Sequence, residues 1–286
     1  MFQSNRLRSL VKRTESDVRI FLESLLFAAR YKKKNSFRAL FFFRLYIEVN
    51  HISPFRNFFK LRTKTVTLRL PHFGDMTLKF HLDDHFQMAI CEEFVKYNVY
   101  DLSALTFVPD SIIDCGAYKG YFTFRAAAMF PYCKKVCIEP HSQNMIELTS
   151  VVYREGLGNV QLINKAISDA GETIMLEKSG SNMMANLDLR ADIILQEVDS
   201  ISLYSLLDDL APSAKLLLKM DIEGSELDFF PGCIKDLPSC CAVFLETHDG
   251  WHSLTHIKEA FINHGFSFSL IRERGAFIDS FAIRNP

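Results

Sequence analysis

Ile112-Ile113-Asp114-Cys115-Gly116-Ala117-Tyr118-Lys119-Gly120 closes one apolar run and leads directly into another, Tyr121–Met129. The first run is short and continuous, as a strand buried on both faces reads. The second has the length and pattern of a helix. Between them stands D-x-G-x-x-x-G. Gly116 and Gly120 let the backbone turn tightly and approach a ligand with no Cβ in the way. The start of the following helix offers unpaired N–H groups to a carboxylate or phosphate. A strand, glycine loop and helix in this order point to an open α/β sheet, in which ligands bind beyond the carboxyl ends of the strands.

The next apolar run ends in an acid as well. Val136-Cys137-Ile138-Glu139-Pro140 places Glu139 25 residues after Asp114. An acid there is positioned to accept hydrogen bonds from both ribose hydroxyls of a nucleoside. A dinucleotide fold is the obvious rival, but its G-x-G-x-x-G is missing, and Asp114 would repel a pyrophosphate. An acid at that point suits a cofactor with an amino group and a positive sulfonium.

From residue 111 onward short apolar runs recur at Ser111–Asp114, Lys135–Glu139, Val160–Ile167, Leu216–Ile222 and Ala242–Thr247. Helical patterns separate most of them, which predicts a mostly parallel sheet with helices on both faces. Phe266–Ile271 and Ala276–Ile283, joined by Arg272–Gly275, read as a terminal hairpin, so one strand runs antiparallel. Upstream, Thr63–Leu68 and Met76–Leu82 flank the turn Pro71–Asp75 and predict a hairpin over 61–82, with a helix at Phe86–Tyr97. Residues 1–60 read as helical, with Val18, Phe21, Leu22, Leu25, Leu26 and Ala29 at helical spacing. The organisation expected is a basic helical segment at 1–60 followed by a Rossmann-like domain at 61–286.

A second constellation lies on later strands. Alternate residues of a strand share a face, so Lys219, Asp221 and Glu223 start on one face while Leu218, Met220 and Ile222 take the other. Glu246 and His248 share a face on the next run. If the two strands are neighbours, five ionisable groups converge beside the Asp114 loop. Such groups at buried strand ends are costly unless they are paired or functional. His248 or Asp221 could be a base, and the unperturbed imidazole pKa favours His248. Lys219 could hold a neighbouring carboxylate or a substrate oxygen. Mg²⁺ is the weaker alternative, with Asp221, Glu246 and Asp249 as ligands and two substrate hydroxyls completing an octahedron. A salt-bridge cluster with no chemistry is the plain structural reading.

These segments resemble one family. Asp114–Gly120 with Tyr121-Phe122-Thr123 is similar to the first motif of class I methyltransferases of the FkbM family. Asn164-Lys165-Ala166-Ile167-Ser168-Asp169 resembles its third-strand segment. Lys219-Met220-Asp221-Ile222-Glu223-Gly224-Ser225-Glu226 resembles its K-x-D-x-E-G-x-E, and Leu245-Glu246-Thr247-His248 its E-x-H. The resemblance implies a Rossmann-like fold, S-adenosylmethionine as cofactor and O-methylation of a sugar, glycan-like or polyketide hydroxyl. It carries the cofactor onto Asp114, Gly116, Ala117, Tyr118, Gly120, Tyr121, Glu139, Pro140, Ala166 and Asp221. Tyr118 and Tyr121 would face the sulfonium by cation–π contact. Catalysis would fall to Lys219, Asp221, Glu223, Glu246 and His248. Trp251, after the E-x-H strand, could stack on a sugar ring or staple a helix.

Composition narrows the partners. Hydrophobic residues at 48% and charged residues at 23% describe a globular chain, not a disordered one. Charge is divided unevenly: residues 1–70 hold 16 Lys/Arg against 4 Asp/Glu, and residues 71–286 hold 17 against 30. A basic segment interleaved with Phe suits an anionic surface, so a membrane-bound or lipid-linked acceptor is the alternative to a soluble one, with 1–60 touching the inner membrane surface. A basic face docked on the acidic part explains the asymmetry equally well. Seven cysteines without a CxxC pair indicate reduced thiols and a cytoplasmic location. Cys133, Cys137 and His141 supply too few ligands for a zinc site. There is no secretory leader pattern and no apolar run long enough for a membrane helix. No N-P-P-Y tetrapeptide or RNA-binding module supports nucleic acid as the acceptor.

Overall fold

The apolar runs become neighbouring strands of one sheet. In the computed structural model of the chain the described residues are 65–68, 73, 78–81, 90, 92–169, 172–177, 195–211, 213–248 and 250–285. Residues 1–60, with their expected helices, lie outside them, as do Ser179–Asn182 and Asp249. No helix among the described residues is long and apolar enough to cross a membrane.

The chain divides into two compact units, one of residues 1–71, 75–98 and 180–187, the other of 72–74, 99–179 and 188–286. In the first, β1 (Thr65–Leu68) pairs antiparallel with β2 (Leu78–His81), giving the hairpin read from the β-branched run and the turn. Glu92–Tyr97 is helical, inside the expected 86–97.

The second unit is built on β3 (Ser111–Cys115), α1 (Tyr121–Met129), β4 (Lys134–Ile138), α2 (Ser142–Arg154), β5 (Val160–Ile163), β6 (Ala166–Ile167), β7 (Thr173–Glu177), β8 (Leu195–Ile201), α3 (Leu203–Asp208), β9 (Lys215–Met220), α4 (Glu226–Cys233), β10 (Cys240–Thr247), α5 (Trp251–Asn263), β11 (Ser267–Arg274) and β12 (Phe277–Arg284). Seven of these strands form one sheet in the order β11-β12-β10-β9-β3-β4-β5. β5, β4, β3, β9 and β10 are parallel, and β12 enters antiparallel between β10 and β11. This is the mostly parallel α/β sheet with a C-terminal antiparallel hairpin that the spacing predicts.

Two boundaries differ from the sequence reading. Val160–Ile167 is not one strand: β5 stays in the large sheet, while β6 pairs with β8 in a three-stranded sheet with β7. The break falls at Asn164, whose side-chain amide donates to Glu139 O and Pro140 O at 2.8 and 3.0 Å. The terminal hairpin turns at Gly275–Ala276 instead of over Arg272–Gly275, because Arg272 continues the ladder opposite Asp279 and donates Nε to its Oδ2 at 2.6 Å.

The core follows strand alternation. Ile113, Cys115, Leu216, Leu218, Met220 and Val243 face one apolar layer with Phe230 of α4 and Ile257 and Phe261 of α5. On the other face Tyr100, Phe122, Phe244 and Phe281 pack ring to ring, mostly edge to face. Each fully buried Leu or Phe side chain contributes roughly 1.5–3 kcal/mol over exposure. Register then sets charge into this packing: Asp114 lies beside Lys219, and Lys219 beside Phe244, in one row across β3, β9 and β10.

Candidate active site at the carboxyl edge of the sheet

The glycine loop is shaped by the protein around it. Gly116 has φ +75°, and a Cβ there would lie 1.7 Å from Asp221 O. Gly120 has φ +86°, and its Cβ would strike Leu148 and Phe124 at 2.4 and 2.7 Å. Both glycines are therefore required by left-handed backbone, as the tight turn read from the sequence demands, and by close contact with Asp221 O and with the Leu148 and Phe124 side chains. Gly116 N–H and Ala117 N–H donate to Ile138 O at 3.0 and 2.9 Å, which ties the loop to β4. Tyr118, at φ +50°, is a non-glycine residue in the same left-handed region.

Asp114 faces inward. It is 1% exposed, accepts from Thr123 Oγ1 at 2.7 Å and lies 3.7 Å from Lys219 Nζ. Burial raises its pKa against the lowering effect of Lys219 and Thr123. The idea that this carboxylate directly meets a cationic cofactor is therefore corrected: it braces the loop from beneath. Its Oδ1 is buried without a hydrogen bond. Lys219 is the centre of the brace. Its ammonium donates to Gly116 O at 2.6 Å and Cys115 O at 3.3 Å, and pairs with Asp221 Oδ2 at 3.2 Å. Burial alone would lower its pKa, but Asp221 and Asp114 outweigh it and hold the amine charged. Of the two roles open to Lys219, the structure shows it holding a neighbouring carboxylate.

Glu139 ends β4 beside the loop. Its Oε2 accepts from Tyr118 N–H at 2.8 Å, and its Oε1 from His141 N–H and Asn144 Nδ2, both at 3.0 Å. Burial raises its pKa against those three donors. Pro140 follows it, and Ala166 is buried in β6. Tyr118 and Tyr121 stack on each other at 6.2 Å, and the cation over the Tyr118 ring is Lys119 at 5.3 Å. Tyr121 is the buried member of this stack.

Lys219, Asp221, Glu223, Glu246 and His248 do converge. His248 Nε2 lies 3.3 Å from Glu223, 3.7 Å from Glu246 and 3.8 Å from Asp221. Its Nδ1 meets Glu226 at 3.0 Å. Glu246 is also paired with Arg274 at 3.1 Å. Burial works against a charged ring, but Glu223 and Glu226, with the charge of Asp221, push its pKa up to about 11. This corrects the reason for choosing His248 as base: with carboxylates on both nitrogens it is an imidazolium at neutral pH and already carries the proton.

Among the described residues Asp221, Glu223 and His248 are the one group whose donor atoms come within 4.8 Å of one another. The Lys219 ammonium lies 3.2 Å from Asp221 Oδ2 and His248 Nε2 3.8 Å from Asp221 Oδ1, so a divalent ion there would share that carboxylate with Lys219. Of the expected metal set, Asp249 lies outside the described residues and Glu246 is held by Arg274. Cys133 and Cys137 are free, buried thiols.

Several residues of the site had no role assigned from sequence. Thr123 and Glu226 stood inside quoted motifs, and their signal was a hydroxyl or acid in the first turn of a helix after a strand. Asn164 opened the quoted third-strand segment, and Asn144 and Arg274 carry no motif. Neither does Phe277, 41% exposed with its ring edge-on to His248 at 5.3 Å. Trp251 is exposed at the start of α5 and donates Nε1 to Glu273 at 3.0 Å.

A solved precorrin-6y C5,15-methyltransferase from Geobacter metallireducens is similar, at 15% identity over 66% of this chain and 88% of that one, with a TM-score of 0.43. A methyltransferase FkbM from Methylobacillus flagellatus is similar at 16% identity over 94% of this chain and 60% of that one, with a TM-score of 0.44. TYW2 of M. jannaschii, solved with AdoMet, is similar at 11% identity over 79% and 90%, again at 0.44. No curated protein matches the sequence. Those scores are too low to bear on function; the sequence model of the methyltransferase FkbM domain, by contrast, matches residues 114–268. With the motifs of β3, β9 and β10 inside that span, the chain belongs to the FkbM methyltransferase family.

Proposed function

We propose that this methyltransferase takes its methyl group from S-adenosylmethionine and delivers it to a hydroxyl of a sugar or glycan-like acceptor. The observation that carries the reading is the joint at Asp221. Its N–H donates to Cys115 O at 3.2 Å, and its carboxylate sits between Lys219 at 3.2 Å and His248 at 3.8 Å. The cofactor loop and the acid-rich cluster therefore share one residue. Five carboxylates (Asp114, Asp221, Glu223, Glu226, Glu246) stand against the charges of Lys219, Arg274 and His248. This excess of negative charge favours a cationic cofactor. The Glu139 carboxylate beside the loop fits the ribose of a nucleoside.

The cofactor supplies an activated methyl group. Around it, Lys219 and Asp114 keep the loop in place, and Glu139 accepts from ribose hydroxyls. With S-adenosylmethionine bound, its sulfonium would supply the methyl group and leave as the neutral thioether, and a carboxylate of the cluster would take the proton that the acceptor hydroxyl gives up. Glu223, whose side chain is 44% exposed, can pass that proton to water. His248 contributes a positive charge and a hydrogen bond. An acceptor linked to a membrane surface, reached through the basic residues 1–60, is the second reading, and the charge asymmetry favours it. A polyketide-type hydroxyl is the third.

The test is calorimetric titration with S-adenosylhomocysteine, with NAD as control, followed by a sugar screen for methyl transfer. Binding of S-adenosylhomocysteine alone, lost in Asp114→Ala and weakened in Glu139→Ala, is expected. No binding by the folded wild-type protein would overturn the cofactor assignment.

A further inference from the structure

Glu226 opens α4, where an acid ordinarily serves as a solvated counter-charge to the helix N-terminus. Asp228, exposed in the same turn, is placed for that task. Glu226 is turned inward and is 2% exposed. Its Oε1 takes Ile222 N–H at 3.0 Å, Gly224 N–H at 3.3 Å and His248 Nδ1 at 3.0 Å, and its Oε2 takes Gly224 N–H at 3.1 Å. The two backbone groups can only donate, so the carboxylate is the acceptor. An ionised carboxylate has nothing to donate, so the His248 nitrogen facing it must carry a proton.

The same contacts shape the bend between β9 and α4. Glu223 and Gly224 sit at φ +63° and +111°. For Glu223 this is a costly conformation, of the order of 1–3 kcal/mol, that persists only where the surroundings impose it. The Ile222 and Gly224 N–H bonds to Glu226 on either side of Glu223 are such an imposition. With Nδ1 committed to Glu226, Nε2 is the nitrogen that faces Glu223 at 3.3 Å.

We propose that Glu226 is the positioning residue of this site: one buried carboxylate fixes the proton on His248 Nδ1 and the bend that carries Glu223, and so aims imidazole and base at the same acceptor oxygen. Its purpose rests on the methyl-transfer reading above; its geometry does not. The arrangement follows the general pattern in which a reacting pair is oriented by a third, buried group.

The experiment is nitrogen-15 spectroscopy of the full chain labelled at histidine, with His248 assigned by the signal missing in His248→Gln. In the wild type Nδ1 is expected to bear a proton. In Glu226→Gln the position of Oε1 faces both Ile222 N–H and His248 Nδ1, so the amide oxygen takes it; a neutral acceptor then replaces a charged one, and the ring is expected to give up its charge at lower pH than in the wild type. A bare Nδ1 in the wild type overturns the proposal, and so does a ring that titrates over the same pH range in Glu226→Gln as in the wild type. A merely structural Glu226 would lower the melting temperature of Glu226→Gln and leave the ring signal in place. Should that variant not fold, the wild-type spectrum alone decides. S-adenosylhomocysteine titration of the same samples separates the two readings: failure of the wild type to bind removes the cofactor assignment and leaves the ring result standing.

Discussion

Lys219→Met removes the cation at the centre of the loop brace while keeping an unbranched side chain of similar volume, so little cavity cost is added. Lys219 and Asp114 are 6% and 1% exposed as side chains, and Asp221 is 22% exposed. Without the ammonium, Asp221 can recruit water. Asp114 cannot, and it is left with the hydroxyl and backbone hydrogen bonds of Thr123. Gly116 O loses the Lys219 donor at the same time, while Cys115 O keeps Asp221 N–H. Stripping one partner from a buried ion pair costs about 3–5 kcal/mol. For a domain of this size, at roughly 2–4 °C per kcal/mol, the melting temperature should fall by about 6–20 °C. The assay is urea and thermal unfolding followed by circular dichroism, with Asp114→Asn added to make a double variant. Asparagine still accepts from Thr123 but brings no charge, so the double variant should recover part of the loss. A single variant within about 1 kcal/mol of wild type, or a double variant no better than the single, would refute the brace.

Gly116→Ala should destabilise by roughly 2–5 kcal/mol, combining a left-handed backbone penalty with a Cβ driven into Asp221 O, while Gly158→Ala, with open space around its Cβ, should be near neutral; thermal unfolding of the pair checks it. His248 has a folded pKa raised from 6.5 to about 11, so its contribution to stability is complete below pH 6.5 and lost as pH rises towards 11. His248→Gln should flatten that part of the stability profile, and equal slopes in the two proteins would count against the raised pKa. The same variant should retain S-adenosylhomocysteine and slow transfer; a full rate would show that the imidazole takes no part. Glu139→Gln exchanges a charged acceptor for a neutral one and should weaken S-adenosylhomocysteine by about 1.5–3 kcal/mol, read by calorimetry. Cys115, Cys137 and Cys241 are fully buried, and burial pushes their thiols up, so thiol titration should find them only after unfolding.

The sheet was legible because its strands are buried on both faces. Leu216-Leu217-Leu218 and the apolar run of β10 admit few other readings, and helices of ordinary length fill the gaps between strands. The site's residues were legible too, because charged side chains at strand ends are expensive. What they do was much less so. Asp114 reads from sequence as an acid awaiting a cation, and the cation it meets is Lys219, which lies 105 positions later and beside it only through the β3–β9 register. His248 reads as a base because a lone imidazole is one. Its partners come from the bend after β9, the start of α4 and the end of β10, and only their convergence turns it into a cation. Asn164 shows the same limit for secondary structure: a side chain drawn towards Glu139 and Pro140 divides an apolar run that periodicity alone would leave whole.

Strand β9 joins these observations. Its even-numbered residues, Leu216, Leu218 and Met220, are buried in the layer under α4 and α5, while Lys219 and Asp221 follow the opposite phase to the loop and to His248. A one-residue slip of β9 would exchange the two sets and bury the charges in that apolar layer. Packing therefore holds the site in register: the leucines that stabilise the sheet also fix which carboxylate lies beside the loop. Lys219 then sets how closely the loop approaches. Because Asp221 reaches both the loop and the imidazole, a ligand that draws on its charge at one end must alter what His248 experiences at the other. An acid-rich cluster in this position is thus coupled to the state of the glycine loop by contact, with no moving part required.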